Sequence, residues 1–355
     1  MIVQKISCFL IIFGLAIFSS SCSDRDTIPM QVELTRSVSK LPFVIALDQG
    51  LYEKYGLDIE VRMEEPEFDG GIHMPSDNFV ARNWRRLRLA AGQKAAWNPD
   101  IRISGANNRI YLMTASAREP QRVALAATDC TARQKIVARK GLDRLEALKG
   151  KRIGVSSIGS NSGFAALLLA ERMGWDPVQD LSIQSGGNEL EVLRDGRVDA
   201  YIASERSAAV AVQEGYPILA DLSAWQEPLP GNSVMVRPEW LEIPDNREAA
   251  RRFLKATVEG IAIFHQNREL VFNILSKWHG ITDKTVAEAV YESGARIPRK
   301  PYPCYEGIIR AMQRYDSNAM RQYSPADFYD DSLLRELDES RFIDGLYITH
   351  ESKSP

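Results

Sequence analysis

The small-residue stretch at residues 156–163, Ser-Ser-Ile-Gly-Ser-Asn-Ser-Gly, is the part of this sequence best suited to bind a small molecule. It lies between a predicted strand at 151–155 and a predicted helix that begins at Phe164. Free N–H groups and the positive end of the helix dipole meet at a helix start, and the hydroxyl groups add further donors. This chemistry suits a carboxylate, a sulfonate or a phosphate. The stretch lacks the Gly-Lys-Ser/Thr ending of a nucleotide P-loop, which argues against ATP.

Two further polar stretches follow predicted strands, at residues 104–108 and 204–207. In open α/β sheets, ligands gather at the carboxyl ends of the strands, so the three stretches are predicted to face one cleft. An alternative stays open at each of them, because serine and asparagine also favour turns and helix caps. In that case Ser160 or Ser162 would only cap the helix that follows.

Residue types that perform catalysis do not form a recognisable arrangement in this chain. Its histidines are scattered without the spacing of metal ligands: His73, His265, His279 and His350. There is no Gly-x-Ser-x-Gly motif, and no cysteine pairs with a histidine to suggest a nucleophile. The sequence therefore predicts no catalytic residues, no metal site and no cofactor.

The first 22 residues have the pattern of a secretory signal peptide. Lys5 supplies a positive start, residues 8–18 are an unbroken apolar run, and small residues lead to Cys22. A helix needs about 20 apolar residues to span a bilayer, so this run is too short to be a good anchor. Three small residues before a cysteine resemble a bacterial lipoprotein cleavage box, although Ser19 stands where that box usually has leucine. We predict a leader over residues 1–22, lipidation of Cys22 and a periplasmic or cell-surface location. Ordinary cleavage to a free soluble protein is the alternative.

Charge and cysteine content restrict the partners further. The 44 basic and 47 acidic residues give a net charge of −3, without the basic field that nucleic-acid binding needs. We expect a monomer with no nucleic-acid partner. Beyond Cys22, only Cys130 and Cys304 remain. An oxidising compartment permits a disulfide between them, but no spacing argument brings them together, and two buried free thiols are the favoured interpretation.

Strand-like and helix-like segments alternate along most of the chain, which indicates an α/β fold with largely parallel pairing. A helix is predicted over residues 78–91, and helical patterns dominate after residue 246, beginning with 246–278. The tail at 348–355 is polar and predicted to fray. Strands are predicted at residues 31–36, 57–61, 101–103, 123–127, 135–138, 151–155, 181–183 and 198–202.

Several of these segments resemble the hallmarks of a known family. Residues 39–52 and 55–61, SKLPFVIALDQGLY and YGLDIEV, resemble the opening of the substrate-binding proteins of ABC importers. Residues 145–155, LEALKGKRIGV, resemble the helix and strand that open the second lobe in that family. Residues 193–200 and 264–269, LRDGRVDA and FHQNRE, resemble two later segments. The group is the one shared by sulfonate, taurine and nitrate binders and the thiamine-pyrimidine proteins.

The resemblance implies a periplasmic-binding-protein type 2 fold: two α/β lobes, a ligand cleft between them, and C-terminal helices. Residues 28–123 and 231–347 would form lobe one, and residues 124–230 lobe two. The implied function is an extracytoplasmic solute-binding protein that delivers a small polar or anionic organic molecule to an ABC permease and ATPase. The alternatives are an enzyme of the same fold, similar to the thiamine-pyrimidine synthases, or a secreted ligand sensor.

The polar stretches and the implied cleft together predict the ligand-binding residues. Three residues at the start of the helix in lobe two are predicted to donate hydrogen bonds to an acidic or strongly polar head group: Ser160, Asn161 and Ser162. Lobe one is predicted to contribute Ser39, Asn107 and Asn108. Glu205 and Asn232 are predicted to border the cleft.

Overall fold

The computed structural model of the chain describes residues 27–35, 38–64, 98–115, 122–186 and 189–351. The leader with Cys22, His73 and the helix predicted over residues 78–91 lie outside the described residues. Within the described part of the chain, no helix is long and apolar enough to cross a membrane.

The first of two five-stranded sheets has the order β2–β1–β3–β10–β4. Strands β2, β1 and β3 are parallel, whereas β10 runs antiparallel to both β3 and β4. The predicted parallel pairing is therefore correct for one half of this sheet and wrong for the other. The strands are β1 (Ile28–Thr35), β2 (Leu57–Glu64), β3 (Ile101–Gly105), β4 (Val123–Ala127) and β10 (Asn232–Val236).

The second sheet has the order β7–β6–β8–β5–β9 and the same mixed character. Strands β7, β6 and β8 are parallel, and β5 is antiparallel to β8 and β9. The strands are β5 (Lys135–Ala138), β6 (Arg152–Val155), β7 (Ser182–Ser185), β8 (Ala200–Ala203) and β9 (Ile218–Asp221).

Thirteen α-helices are defined among the described residues, and local capping sets several of their ends. The segment predicted as helical over 246–278 is two helices, because Asn267 leaves helical geometry and its side chain accepts a hydrogen bond from the N–H of Leu270. The helices are α1 (Leu41–Asp48), α2 (Leu51–Lys54), α3 (Ala106–Ala115), α4 (Asn161–Met173), α5 (Glu189–Arg194), α6 (Glu205–Gln213), α7 (Pro238–Leu241), α8 (Pro244–Gln266), α9 (Arg268–His279), α10 (Lys284–Gly294), α11 (Tyr305–Arg314), α12 (Ser332–Glu339) and α13 (Phe342–Glu351).

Each sheet has its own hydrophobic core. The first core packs the first sheet against α1 and the long helix α8, where Tyr52 stacks on Phe253 with ring centroids 4.9 Å apart. The second core surrounds α4, and it also takes side chains from α3 and α11, including Ile110 and Ile308. The C-terminal segment is therefore divided, since α11 packs on the second core while α12 and α13 pack on α8 in the first.

The predicted boundary between the lobes, after residue 123, divides a strand that the structure keeps whole. All five residues of β4 are buried, and the strand pairs with β10 in the first sheet. Because a buried strand must pair its backbone groups, the first crossover to the second sheet begins only after Ala127. The assignment of 124–127 to the second lobe was wrong.

A disulfide joins Cys130 to Cys304, with their Cα atoms 5.3 Å apart. It ties the first crossover, just after β4, to the residue that precedes α11. The favoured prediction of two free thiols was wrong, because 174 residues separate the two cysteines and only the folded chain brings them together.

Candidate ligand-binding site

A cavity of about 280 Å³ lies between the two sheets, and every predicted ligand-binding residue lines it. These are Ser39, Asn107, Asn108, Ser160, Asn161, Ser162, Glu205 and Asn232. Three polar residues outside the stretches that the sequence singled out also line it: Lys40, Asp129 and Gln134. The structure thus brings the predicted residues together, while their contact with a ligand stays a prediction.

Four helices begin at the wall of this cavity. Helices α3, α4 and α6 follow the carboxyl ends of β3, β6 and β8, and α1 begins directly after Ser39 and Lys40. The predicted polar stretches at 104–108 and 204–207 each consist of a strand end or a helix cap followed by the first turn of a helix. The helix predicted from Phe164 begins earlier, at Asn161. Helix N-termini carry partial positive charge, so their convergence favours an anionic or acceptor group in the cavity.

Three serine hydroxyls form a compact cluster before and within the first turn of α4. The Oγ atom of Ser156 lies 2.8 Å from that of Ser160 and 2.9 Å from that of Ser162. The Ser162 hydroxyl also accepts a hydrogen bond of 2.9 Å from the N–H of Ser156, which holds the loop against the helix. Such a cluster can reorient its hydroxyl protons to suit a polar group placed beside it.

The hydroxyl of Ser160 has a structural role in this cluster. It accepts a hydrogen bond from the N–H of Gly163 at 3.2 Å and donates to the carbonyl oxygen of Ser157 at 2.6 Å. Ser160 is therefore the N-cap of α4, which is the alternative that the sequence left open. The backbone N–H groups of Asn161 and Ser162 have no hydrogen-bond partner among the described residues. They are the donors at this helix start that remain available.

The opposite wall of the cavity contacts this loop directly. The Nδ2 atom of Asn107, in α3, donates to the carbonyl oxygen of Gly159 at 3.0 Å. A Cβ atom on Gly159 would lie 2.2 Å from the Tyr111 ring and 2.6 Å from Oδ1 of Asn108. A Cβ atom on Gly105 would lie 2.5 Å from Oδ1 of Asn107. Glycine at both positions is required for this approach, since carbon atoms do not come so close to other heavy atoms.

Acidic residues occupy the crossover end of the cavity. The Nε atom of Arg133 lies 3.1 Å from Oδ1 of Asp129 and 3.8 Å from Oε1 of Glu205. Arg133 also donates to the carbonyl oxygen of Ser293 in α10, whose hydroxyl donates to Glu205. Burial raises the pKa of Asp129, the Glu205 carboxylate raises it further, and Arg133 opposes both effects. This network joins α6, on the second sheet, to α10, on the first.

Lys40 is a buried cation that the sequence analysis missed. Its ammonium donates to the carbonyl oxygen of Ile103 in β3. Burial lowers the pKa of Lys40 to about 7, attraction from Glu33 acts against the shift, and repulsion from Arg102 adds to it. No pattern in the sequence marked it, because a lysine one residue before a helix is usually exposed. Beside it, Asn232 Nδ2 donates to the carbonyl oxygen of Ser39 at 3.4 Å.

A larger groove of about 700 Å³ lies between α6 and α10, and it shares Glu205 with the cavity. Its walls include the exposed side chains of Val212 and Ile218. It is not bordered by the serine cluster or by the N-termini of α3 and α4. The smaller cavity is therefore the better candidate for a polar ligand.

Among the described residues, no group of His, Cys, Asp and Glu side chains could hold a metal ion. His265 instead contacts the carbonyl oxygen of Ile297 at 2.9 Å.

Comparison with known proteins identifies the fold. A model of the NMT1-like family matches residues 29–270, while none of the curated protein sequences matches the chain. A solved structure from Bordetella bronchiseptica RB50 is 16% identical, covers 89% of this chain and 98% of its own, and has a TM-score of 0.67.

Two further solved structures have names that state a ligand. The periplasmic nitrate-binding protein NrtA from Synechocystis PCC 6803 is 14% identical, with 89% of each chain covered and a TM-score of 0.65. The periplasmic aliphatic sulphonate binding protein SsuA from Escherichia coli is 16% identical, covers 89% of this chain and 88% of its own, and has a TM-score of 0.58. The periplasmic-binding-protein fold predicted from the sequence is confirmed.

Proposed function

This chain belongs to the NMT1-like family, and from that membership we propose that it is an extracytoplasmic solute-binding protein that delivers a small polar or anionic organic molecule to the permease and ATPase of an ABC importer. The observation that carries the proposal is the polar cavity between the two sheets, where the N-termini of four helices converge. Structural neighbours named for nitrate and sulphonate binding support a ligand of that size and polarity.

In this proposal the two walls of the cavity bind different parts of one ligand. The N–H groups of Asn161 and Ser162, with the serine hydroxyls, bind the anionic or strongly polar head group. Asn107, Asn108 and Ser39 contact the ligand from the first sheet, and Glu205 and Asn232 border it. Ser160 keeps the first turn of α4 in the geometry that this contact requires.

The direct test is to identify what the purified protein binds. Small molecules released by denaturation would be identified by mass spectrometry, and each candidate would be added back in thermal-shift and scattering experiments. A ligand at a hundredfold excess over its dissociation constant stabilises the protein by about 2.7 kcal/mol, and we expect a more compact particle. If the ligand were chemically altered after incubation with the protein, the alternative function, an enzyme of the same fold, would be favoured. Absence of any released or stabilising compound would contradict a binding function.

We further propose that the mature protein works outside the cytoplasm, anchored through Cys22. The leader pattern at residues 1–22 supports this location, as does the Cys130–Cys304 disulfide, because disulfides persist in oxidising compartments. Palmitate labelling and globomycin-sensitive processing should both disappear in Cys22→Ala. Undiminished labelling of that variant, or a cytoplasmic protein with an intact leader, would contradict the proposal. Importer genes beside this gene would separate a transport component from a sensor.

A further inference from the structure

Helices α6 and α10, which belong to different sheets, are joined by hydrogen bonds at both ends. At one end, the hydroxyl of Ser293 donates to Oε1 of Glu205 at 2.8 Å, and Arg133 donates to the carbonyl oxygen of Ser293 at 2.8 Å. At the other end, Nε2 of Gln213 donates to Oδ1 of Asp283 at 3.1 Å. Since the start of α6 meets the end of α10, the two helices are antiparallel.

Apolar packing between these two helices is incomplete. The residues of α6 that pack against the first core, Ala209 and Val210, are only partly buried. The groove of about 700 Å³ lies beside them, and the Val212 side chain in its wall is 51% exposed. Protein cores are close-packed, and a gap beside an interface removes dispersion contacts that would hold it closed. The contact between α6 and α10 therefore depends strongly on the polar bonds at its ends.

A second contact between the two halves of the molecule, the seam of α3 and α11, is closely packed. Helix α3 follows β3 of the first sheet, yet Ile110 in α3 is fully buried in the second core, as is Ile308 of α11. The rings of Tyr111 and Tyr315 pack in the same core, with centroids 5.5 Å apart. Separating this seam would expose large apolar side chains to water, which is unfavourable.

The chain is also tied together beside this seam. The Cys130–Cys304 disulfide joins the first crossover to the residue that precedes α11. A Cβ atom on Gly307, in the first turn of α11, would lie 2.6 Å from the backbone nitrogen of Pro230. Helix α11 therefore lies directly against the segment that returns the chain to the first sheet. A covalent bond and a close backbone contact fix this side of the molecule, whereas α6 and α10 are joined without either.

We propose that the contact between α6 and α10 is a releasable latch, and that the two sheets separate there while the seam of α3 and α11 stays closed as the pivot. The latch consists of Arg133, Glu205 and Ser293 at one end and Gln213 and Asp283 at the other. Water can replace these bonds when the helices move apart, so each adds little net stability. Because Glu205 lines both the groove and the cavity, release opens the cavity towards the groove. A role in admitting a solute rests on the proposed function, but the movement itself needs no ligand.

The movement would be measured as distances between nitroxide labels by double electron–electron resonance. The mature protein would first be refolded from urea without reductant, which removes bound compounds. Labels on the unnatural amino acid p-acetylphenylalanine leave the native disulfide intact. One pair replaces Arg206 and Lys284, exposed in α6 and α10, and reports the latch. The other pair replaces Glu306 and Glu339, exposed in α11 and α12, which pack on different cores, and reports the pivot.

Removing the latch bonds should change only the first of these distances. In the double variant Ser293→Ala/Gln213→Ala, we expect the distance between the α6 and α10 labels to lengthen by more than the width of the parent distribution. The distance between the α11 and α12 labels should stay unchanged. Neither substituted residue lines the cavity. Thr285→Ala is the matched control, because this exposed hydroxyl of α10 makes no hydrogen bond to α6 among the described residues.

Two substitutions of opposite charge test the same contact at one position. Gln213→Glu places a second carboxylate opposite Asp283 and should lengthen the distance between the α6 and α10 labels. Gln213→Lys places a cation there and should shorten or narrow it. Added salt should reduce both effects, because it screens exposed charges. The melting temperature of each variant serves as the folding control.

The outcomes decide both parts of the proposal. If the α6–α10 distance is the same in the parent, the double variant and the two charge variants, the latch is overturned. If both label pairs change by equal amounts, the pivot at the seam of α3 and α11 is overturned. These measurements use no ligand, so either failure leaves the solute-binding function to be decided separately, by the compounds that the purified protein releases.

Discussion

Asn107 and Gly159 form a hydrogen bond across the junction of the two sheets: Nδ2 of Asn107 donates to the carbonyl oxygen of Gly159, 3.0 Å away. The bond fixes the orientation of the Asn107 amide and places its Oδ1 atom as an acceptor. It also holds the loop before α4 against α3. This contact depends on the absence of a side chain at residue 159.

We therefore predict that Gly159→Ala destabilises the protein. The new Cβ atom would lie 2.2 Å from the Tyr111 ring, and overpacking of this kind costs about 1–3 kcal/mol. The measurement is the free energy of unfolding in urea. Gly345→Ala is the matched control, because a Cβ there meets nothing within 4 Å, and alanine in a helix is stabilising by about 0.5–1 kcal/mol. Equal stabilities of the two variants would contradict the close approach of α3.

Two neighbouring substitutions at the start of α4 should have different effects. Asn161→Ala keeps the backbone N–H but removes the side-chain amide, which we predict to donate a second hydrogen bond to the charged head group. It should weaken binding of the identified ligand by about ten- to a hundredfold, with little change in melting temperature. Ser160→Ala should lower stability by about 1 kcal/mol through loss of the N-cap, and weaken binding by loosening the first turn.

Asn267→Ala controls for capping alone, because Asn267 caps α9 through Leu270 and does not line the cavity. It should lower stability without changing the affinity measured by calorimetry. If Ser160→Ala and Asn161→Ala both stay folded and bind within twofold of the parent, neither the Ser160 hydroxyl nor the Asn161 side chain contributes to ligand binding.

The disulfide should contribute substantially to stability. Removing a native disulfide typically costs about 2–5 kcal/mol, so we expect that loss for the double variant Cys130→Ser/Cys304→Ser. Thermal melts with and without reductant provide the measurement. Reductant should lower the melting temperature of the parent towards that of the double variant and leave the double variant unchanged. A reductant-insensitive parent that melts like the double variant would show that the bridge does not form.

Lys40 should make the free energy of unfolding increase as the pH rises above neutrality. The folded-state pKa of Lys40, about 7, lies below the ordinary lysine value of 10.5, so the unfolded chain binds more protons between these pH values. Stability therefore rises with pH through this window, by about 2 kcal/mol between pH 7 and 9 from this group. Lys40→Met should remove that part of the slope in urea unfolding. Lys149→Met, at a side chain that is 57% exposed, is the control. If the stability of the parent and that of Lys40→Met changed equally with pH, the lowered pKa of Lys40 would be contradicted.

Much of the candidate site could be predicted because local sequence marks it. A strand followed by small and hydroxyl residues and then a helix is a local pattern, and the six residues chosen from such patterns line one cavity, together with Ser39 and Asn232. The boundaries were less accurate. Helix α4 begins three residues before Phe164, since Asn161 and Ser162 already have helical geometry after the Ser160 cap. Serine and asparagine are common both in loops and in the first turn of a helix, so residue type alone does not show where the helix begins.

The sequence by itself determined the alternation of strands and helices, the polar ends of β3, β6 and β8, and the similarity to one family of binding proteins. These depend on periodicity and on residue types that act over a few neighbours. Only the tertiary structure decided that Cys130 meets Cys304, that Asp129 and Glu205 share Arg133, and that α11 packs on the second core. Each of these contacts joins segments that meet only when the chain closes long loops, and the packing of two cores, rather than any local preference, selects which segments meet.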